Sequence, residues 1–419
     1  MSLSALVDLR PLRQTPDFRR LWIGTTASMF GGQLASFAIT YHVWELTKSP
    51  AMVGALGIAI ATPLIILGLV GGSVADAMDR RRLVIITTIG QFSTAATMAV
   101  LALLDVQAVW VYFLLVAITS GFGGAGAPAR RTFVPRLLPR EQLSAGLALN
   151  HMSFQAALLL GPAAAGMITA RWGTATCFVI DAVTFLIAGY GIARLPRMRP
   201  LTVESRPGAR AIANAVRLTV RRPVLGGAFV TDLCATVLAM PMALFPVLNA
   251  EKFGGSPETL GLFLSAVGLG GIAASVLSGF ATRSPRSGMV MLLAAATWGL
   301  SLIGVGLINN LAAVLALLAI AGAADTWSVI SRGGIVQMVT PDAYRGRVSA
   351  LEHIVGAAGP HIGNVRGGLV ASLSSAGVSL VVGGALCLVG LGLVAHRVPA
   401  LRQFDTRAEP DPGPHRKDS

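Results

Sequence analysis

Met52 to Val74 and Leu83 to Leu104 are two long runs without a single charged residue. Between their cores stands Gly72-Ser73-Val74-Ala75-Asp76-Ala77-Met78-Asp79-Arg80-Arg81-Arg82. A helix needs roughly 20 apolar residues to cross the hydrocarbon core of a bilayer. Each run is therefore read as a membrane-spanning helix, and the stretch between them as a tight charged turn at the membrane surface. Its arginines place that turn on the cytoplasmic side, because Lys and Arg accumulate in inward loops.

The rest of the chain follows the same pattern. Of its 419 residues, 54% are hydrophobic and only 12% are charged. A soluble protein carries about 25% charged residues. The formal charge of +14 does not call for a nucleic-acid partner. Lys48, Arg171 and Lys252 fall in outward turns and Arg366 near the outer end of a helix. Nearly all other cations fall in inward loops and tails, which is the positive-inside bias. Cys177, Cys234 and Cys387 lie scattered within apolar runs and read as packing residues, not as a metal motif. No catalytic constellation, phosphate loop or cofactor motif appears, so the chain reads as neither an enzyme nor a direct user of ATP.

Length and hydropathy give an all-α polytopic membrane protein of about twelve transmembrane helices. They run near 18–45, 51–75, 83–104, 108–131, 144–169 and 174–195, then 224–249, 258–282, 288–307, 311–335, 349–372 and 377–397. The organisation expected is a cytoplasmic segment 1–17, a six-helix half 18–195, a basic cytoplasmic linker 196–223, a second six-helix half 224–397 and a disordered cytoplasmic tail 398–419. In the linker, Arg210, Asn214, Arg217 and Arg221 share one helical face and Ile212, Val216 and Val220 the other. It is either a basic surface helix in the headgroup layer or a plain flexible connection. The halves repeat. Arg130 precedes Pro139 by the spacing at which Arg332 precedes Pro341, and both prolines open a polar turn leading through Ser-Ala into a new helix.

Gly72, Asp76, Arg80 and Arg81 resemble the signature loop of the major facilitator superfamily. Ala77 stands where that loop has a basic residue, and Asp79 where it has a second glycine. Pro16-Asp17-Phe18-Arg19-Arg20-Leu21-Trp22, Pro128-Ala129-Arg130-Arg131 with Pro135, and the block from Ala321 to Asp325 through Arg332 to Arg345-Gly346-Arg347-Val348-Ser349-Ala350 resemble its enterobactin-exporter-like and macrolide-efflux-like branch. The resemblance runs from about Pro16 to Pro399. It implies a major-facilitator fold with the substrate site between two six-helix halves. It also implies secondary active export of an amphipathic small molecule, a drug or siderophore-like metabolite, by proton antiport with alternating access. The alternatives are an importer or facilitator of a small polar nutrient, and a non-transporting membrane sensor. The expected partners are the substrate, protons and membrane lipids. The protein is expected to act as a monomer in the bacterial inner or plasma membrane, with both termini cytoplasmic.

An ionisable group in a membrane interior costs ~2.5–3.5 kcal/mol on insertion scales and so needs a reason. Asp325, Asp232 and Asp181 all fall inside spans, and a carboxylate there can exchange a proton near neutral pH. Asp325 either serves coupling or pairs with Arg332, seven residues on. Asp181 sits in what looks like a packing motif. The family suggests that Asp76 and the inner end of helix 4, Arg130 or Arg131, form a conformational latch with the Gly72–Arg81 turn. The other reading is that those arginines only set topology. Gly161-Pro162 with Gly166 resembles part of an antiporter signature that bends helix 5. Gln33, Tyr41, Gln155, Trp327 and Arg332 are cavity candidates. Relatives often carry acidic residues at the position of Gly32 and in the region of Asn364 and Arg366, so their absence here narrows the coupling candidates.

Overall fold

The computed structural model describes residues 8–198, 209–279 and 285–405, with the side chains of 69–77, 209–214 and 343 outside that description. The described residues form helices throughout. They are α1 (Arg10–Gln14), α2 (Pro16–Thr47), α3 (Pro50–Ala77), α4 (Arg80–Leu103), α5 (Val109–Arg130), α6 (Phe133–Leu137), α7 (Arg140–Ala193) and α8 (Ala209–Arg221). Then follow α9 (Pro223–Ala239), α10 (Phe245–Lys252), α11 (Pro257–Val276), α12 (Ser287–Leu307), α13 (Leu311–Val339), α14 (Arg345–Ser372), α15 (Ala376–Arg397) and α16 (Pro399–Arg402). Among the described residues, nine helical segments are long and apolar enough to cross a membrane. Their outer surfaces carry bare apolar side chains such as Ile58, Ile89 and Leu293, as lipid contact requires. Trp110 and Trp172, exposed at span ends, suit the headgroup level.

The helix boundaries depart from the sequence reading in two places. Gly72 to Ala77 continue α3, so the turn to α4 is only Met78-Asp79. The span expected at 224–249 is broken, because α9 stops at Ala239, and Pro241 and a 3-10 turn at Met242–Leu244 precede α10. Proline supplies no amide proton and interrupts a helix.

α7 covers 54 residues but joins two helices across a kink at Gly173, inside the break expected between 169 and 174. Straight, it would be about 80 Å long at 1.5 Å per residue, far more than a bilayer. It is not straight. Gly173 has φ 79° and ψ 170°, a backbone open to glycine and costly for other residues. The contacts show that the chain doubles back there. A Cβ on Gly161 would lie 2.6 Å from Gln33 Cβ, and a Cβ on Gly31 would lie 2.7 Å from Asp181 Oδ1. Residues on opposite sides of Gly173 thus reach neighbouring positions on α2.

The chain forms two compact units. One comprises Met1–Arg206, Met242–Gly268 and Gly368–Ala376. In it α2 packs along α7, α3 along α5, and α4 against both α5 and α7. A cluster of Phe18, Val84, Phe133, Leu149, Leu195 and Met198 closes the arginine-rich ends of its helices. Short segments of α11 and α14 belong to it because glycines allow backbone-level approach. A Cβ on Gly166 would lie 2.5 Å from Pro257 O, and one on Gly261 would lie 2.6 Å from Pro162 O. The other unit comprises Pro207–Pro241, Leu269–Gly367 and Gly377–Ser419. In it α12 packs on α13, and α9 contacts both. Ala215 of α8 is buried with Leu225, Phe229, Val336 and Val348, while Val216 and Val220 stay exposed. The side chains of Arg210, Ile212 and Asn214, the linker at 199–208, residues 1–7 and the tail from 406 lie outside the described residues.

Candidate functional site: a charged cluster inside the second unit

The cluster is built on Arg332. It lies in α13 and is buried, 8% exposed. Its Nη1 forms an ion pair with Oδ1 of Asp232, in α9, which is also buried. Its Nε faces Glu352 Oε1 of α14 at 3.5 Å, too long for a good hydrogen bond. Asp232 Oδ2 and Arg332 Nε are both buried without hydrogen-bond partners. Three helices therefore meet at one guanidinium. An ion pair out of water is costly to form and costlier to break, at about 3–5 kcal/mol for removal of one partner.

Asp325 is the midpoint of α13, and its side chain is exposed. Asp232 and Arg332 are the charges that act on it. The pairing expected as an alternative, Asp325 with Arg332, is not the one formed: Arg332 pairs with Asp232, on a different helix. Asp325 makes no ion pair or hydrogen bond among the described residues. The cluster holds three carboxylates and one guanidinium, so it carries an excess of negative charge at span depth. Such a cluster can accept a proton or another cation and release it again. Glu352 was missed by the sequence reading, although it is the only acidic residue in α14.

The other candidates are placed as follows. Trp327 is tied to α11, its indole Nε1–H donating to Ala274 O at 3.0 Å. In the first unit, Asp181 is buried against Gly31, with Oδ1 unpartnered. Gln33 packs on Gly161, Tyr41 stacks on Phe37 at 6.2 Å, and Gln155 is half-buried. Gly161-Pro162 and Gly166 form a close-packed seam with α2 and the start of α11.

At the turn between α3 and α4, the side chain of Asp76 lies outside the described residues, as does that of Gly72's neighbourhood. Arg130 Nη2 donates to Thr88 Oγ1 at 2.9 Å and Gln91 Oε1 at 2.8 Å, both on α4. Arg131 is exposed. Arg81 Nη2 donates to Ala193 O. Asp79, the departure from the signature loop, has its own role. Its Oδ1 accepts from Arg82 N at 3.2 Å, capping α4, and its Oδ2 accepts from Met198 N at 3.1 Å. Arg80 N returns a bond to Met198 O at 3.1 Å. The turn is thereby tied to the segment that follows α7.

Residues 7–415 match the family described as transmembrane secretion effector. The chain belongs to this major facilitator family. Its similarity to the enterobactin exporter of Citrobacter koseri is 26% identity over 93% of this chain and 95% of that one. To the enterobactin exporter of Salmonella typhimurium it is 27% identity over 93% and 95%. Two solved structures share the fold. A POT family transporter matches with a TM-score of 0.73 at 12% identity, covering 92% of this chain and 97% of that one. Nucleoside transporter NupG matches with a TM-score of 0.72 at 12% identity, covering 93% and 100%. The chain is thus an all-α polytopic membrane protein and a secondary-active transporter of a small molecule, and it is not an enzyme. Among the described residues no group of His, Cys, Asp and Glu is arranged to hold a metal ion.

Proposed function

We propose that the protein is a proton-coupled exporter of an amphipathic small molecule and that Asp325, with the Asp232–Arg332–Glu352 cluster beside it, is the coupling site. The observation that carries this reading is an exposed, unpaired carboxylate at the midpoint of a 29-residue span. A charge at that depth is retained against a cost of several kcal/mol, and reversible protonation gives it a use. Asp181 is the reserve candidate. The export direction follows the enterobactin exporters, which match over nearly the full chain.

The same reading takes α7 as two spans and adds α2 and α14 to the apolar segments, giving twelve crossings in two six-helix halves. It puts both termini and the linker 196–223 in the cytoplasm, and it makes the α3–α4 turn, with Asp76, Arg130 and Arg131, a latch on one conformation. The test compares the compounds retained by cells with and without the protein, then measures flux of the responding compound in proteoliposomes under an imposed pH gradient. Gradient-driven flux that Asp325→Asn abolishes supports the proposal. Equal flux in the variant refutes it.

One observation favours a second reading, uptake of a small polar solute. The groups gathered in the second unit are charged, and Trp327, the aromatic candidate beside them, has its indole committed to Ala274. Accumulation of solute by cells expressing the protein, in place of depletion, decides for uptake.

A further inference from the structure

The arginine-rich end of the first unit holds a cavity of about 430 Å³ lined by Asp79, Arg81, Arg82, Ile85 and Arg197. That size is within the range of ligand pockets. Among the described lining residues the one acid is Asp79, whose Oδ1 accepts from Arg82 N and whose Oδ2 accepts from Met198 N. The α4 amide at Arg82 is likewise occupied, so the site is made of side chains and not of a bare helix end. Three guanidiniums and one carboxylate line the space, so the described lining carries a formal charge of +2. Arg81 is held in place by its bond to Ala193 O, and its Nε is buried without a partner. Guanidinium forks match phosphate oxygens in pairs. Ile85 adds an apolar wall on the side where α4 continues as a span.

We infer that this cavity binds a phosphate group, with Arg81 as its fixed donor and Arg82 and Arg197 as its mobile ones. Basic pockets where helices meet the membrane surface are fitted to anionic headgroups, so the phosphate can be that of a lipid. The same chemistry would take a soluble phosphate. The inference does not depend on the transport reading, because no residue of the charged cluster in the second unit takes part.

The experiment uses the full chain in zwitterionic phosphatidylcholine nanodiscs, with phosphatidylglycerol doped in or inorganic phosphate added, and reads thermal stability and bound lipid by native mass spectrometry. Arg82→Gln with Arg197→Gln leaves Arg81, Asp79 and their three bonds to backbone in place. Phosphatidylglycerol should stabilise the wild type and be retained by it, with apparent affinity on the order of thirtyfold weaker in the double variant. Stabilisation by inorganic phosphate alone, lost in the variant, also supports the site but assigns it to a soluble ligand. If the double variant melts lower than wild type in phosphatidylcholine alone, Arg82→Lys with Arg197→Lys replaces it, keeping charge and losing the fork. Equal response of wild type and variant to both phosphate sources overturns the inference.

Discussion

Gly31 and Asp181 meet at backbone distance. A Cβ on Gly31 would stand 2.7 Å from Asp181 Oδ1 and 3.1 Å from Asp181 Cα. The next residue, Gly32, has nothing within 4 Å of the same point. One glycine is there for contact and its neighbour is not. Gly31→Ala should lower stability by about 1–3 kcal/mol, the usual cost of overpacking. Gly32→Ala should be neutral or raise stability by up to about 1 kcal/mol through helix propensity. Thermal melts of the two purified variants in one detergent check this, and equal melts would mean that α2 and α7 do not pack this closely.

Asp232 and Asp325 should separate in experiment, although both are aspartates inside spans. Asp232→Asn strips the buried Arg332 of its ion pair and leaves Glu352 at 3.5 Å as its remaining counter-charge. A loss of about 3–5 kcal/mol is expected, with the double change Asp232→Asn and Arg332→Gln recovering part of it. Asp325→Asn removes an unpaired exposed carboxylate, so melting should hold while gradient-driven flux disappears. Denaturation profiles and vesicle flux on the same preparations report the two effects independently.

Asp79 carries two bonds at once. Asp79→Ala should cost about 0.5–2 kcal/mol for the lost cap of α4, together with the tie to Met198. Asp79→Asn keeps an oxygen for the cap and loses one acceptor, so it should fall between wild type and Asp79→Ala. Hydrogen exchange at the first turn of α4 and at Met198 would resolve the pair.

Asp76→Asn tests the latch. A surface contact that biases a two-state equilibrium by about 1 kcal/mol changes the populations roughly fivefold. Transport should slow by a comparable factor while insertion and melting stay unchanged. A wild-type rate would reduce the turn to a topology signal.

The apolar runs made the spans legible, because few other sequences place twenty uncharged residues in a row. The proline turns were legible for a similar reason. Pro139 is the N-cap of α7, and Pro341 that of the 3-10 turn before α14. Arg332 was harder. Periodicity within one helix offers Asp325 as its partner, whereas the partner formed is Asp232, and only knowledge of which helices adjoin can supply that. Asp79 was hidden differently, since compared with the signature loop it is a mismatch, and its meaning depends on Met198, far along the chain. On α8 the valines are the more apolar face, yet Ala215 is the residue buried by protein. In a bilayer the greasier face of a helix can turn to lipid, so hydrophobicity alone does not say which side meets protein.

The reversal at Gly173 has a consequence for folding. The proposed pair of spans in α7 turns on a single residue, whose φ of 79° and ψ of 170° only glycine adopts cheaply. A substitution at Gly173 strains that turn itself, so folded protein should be lost before any change in transport is read.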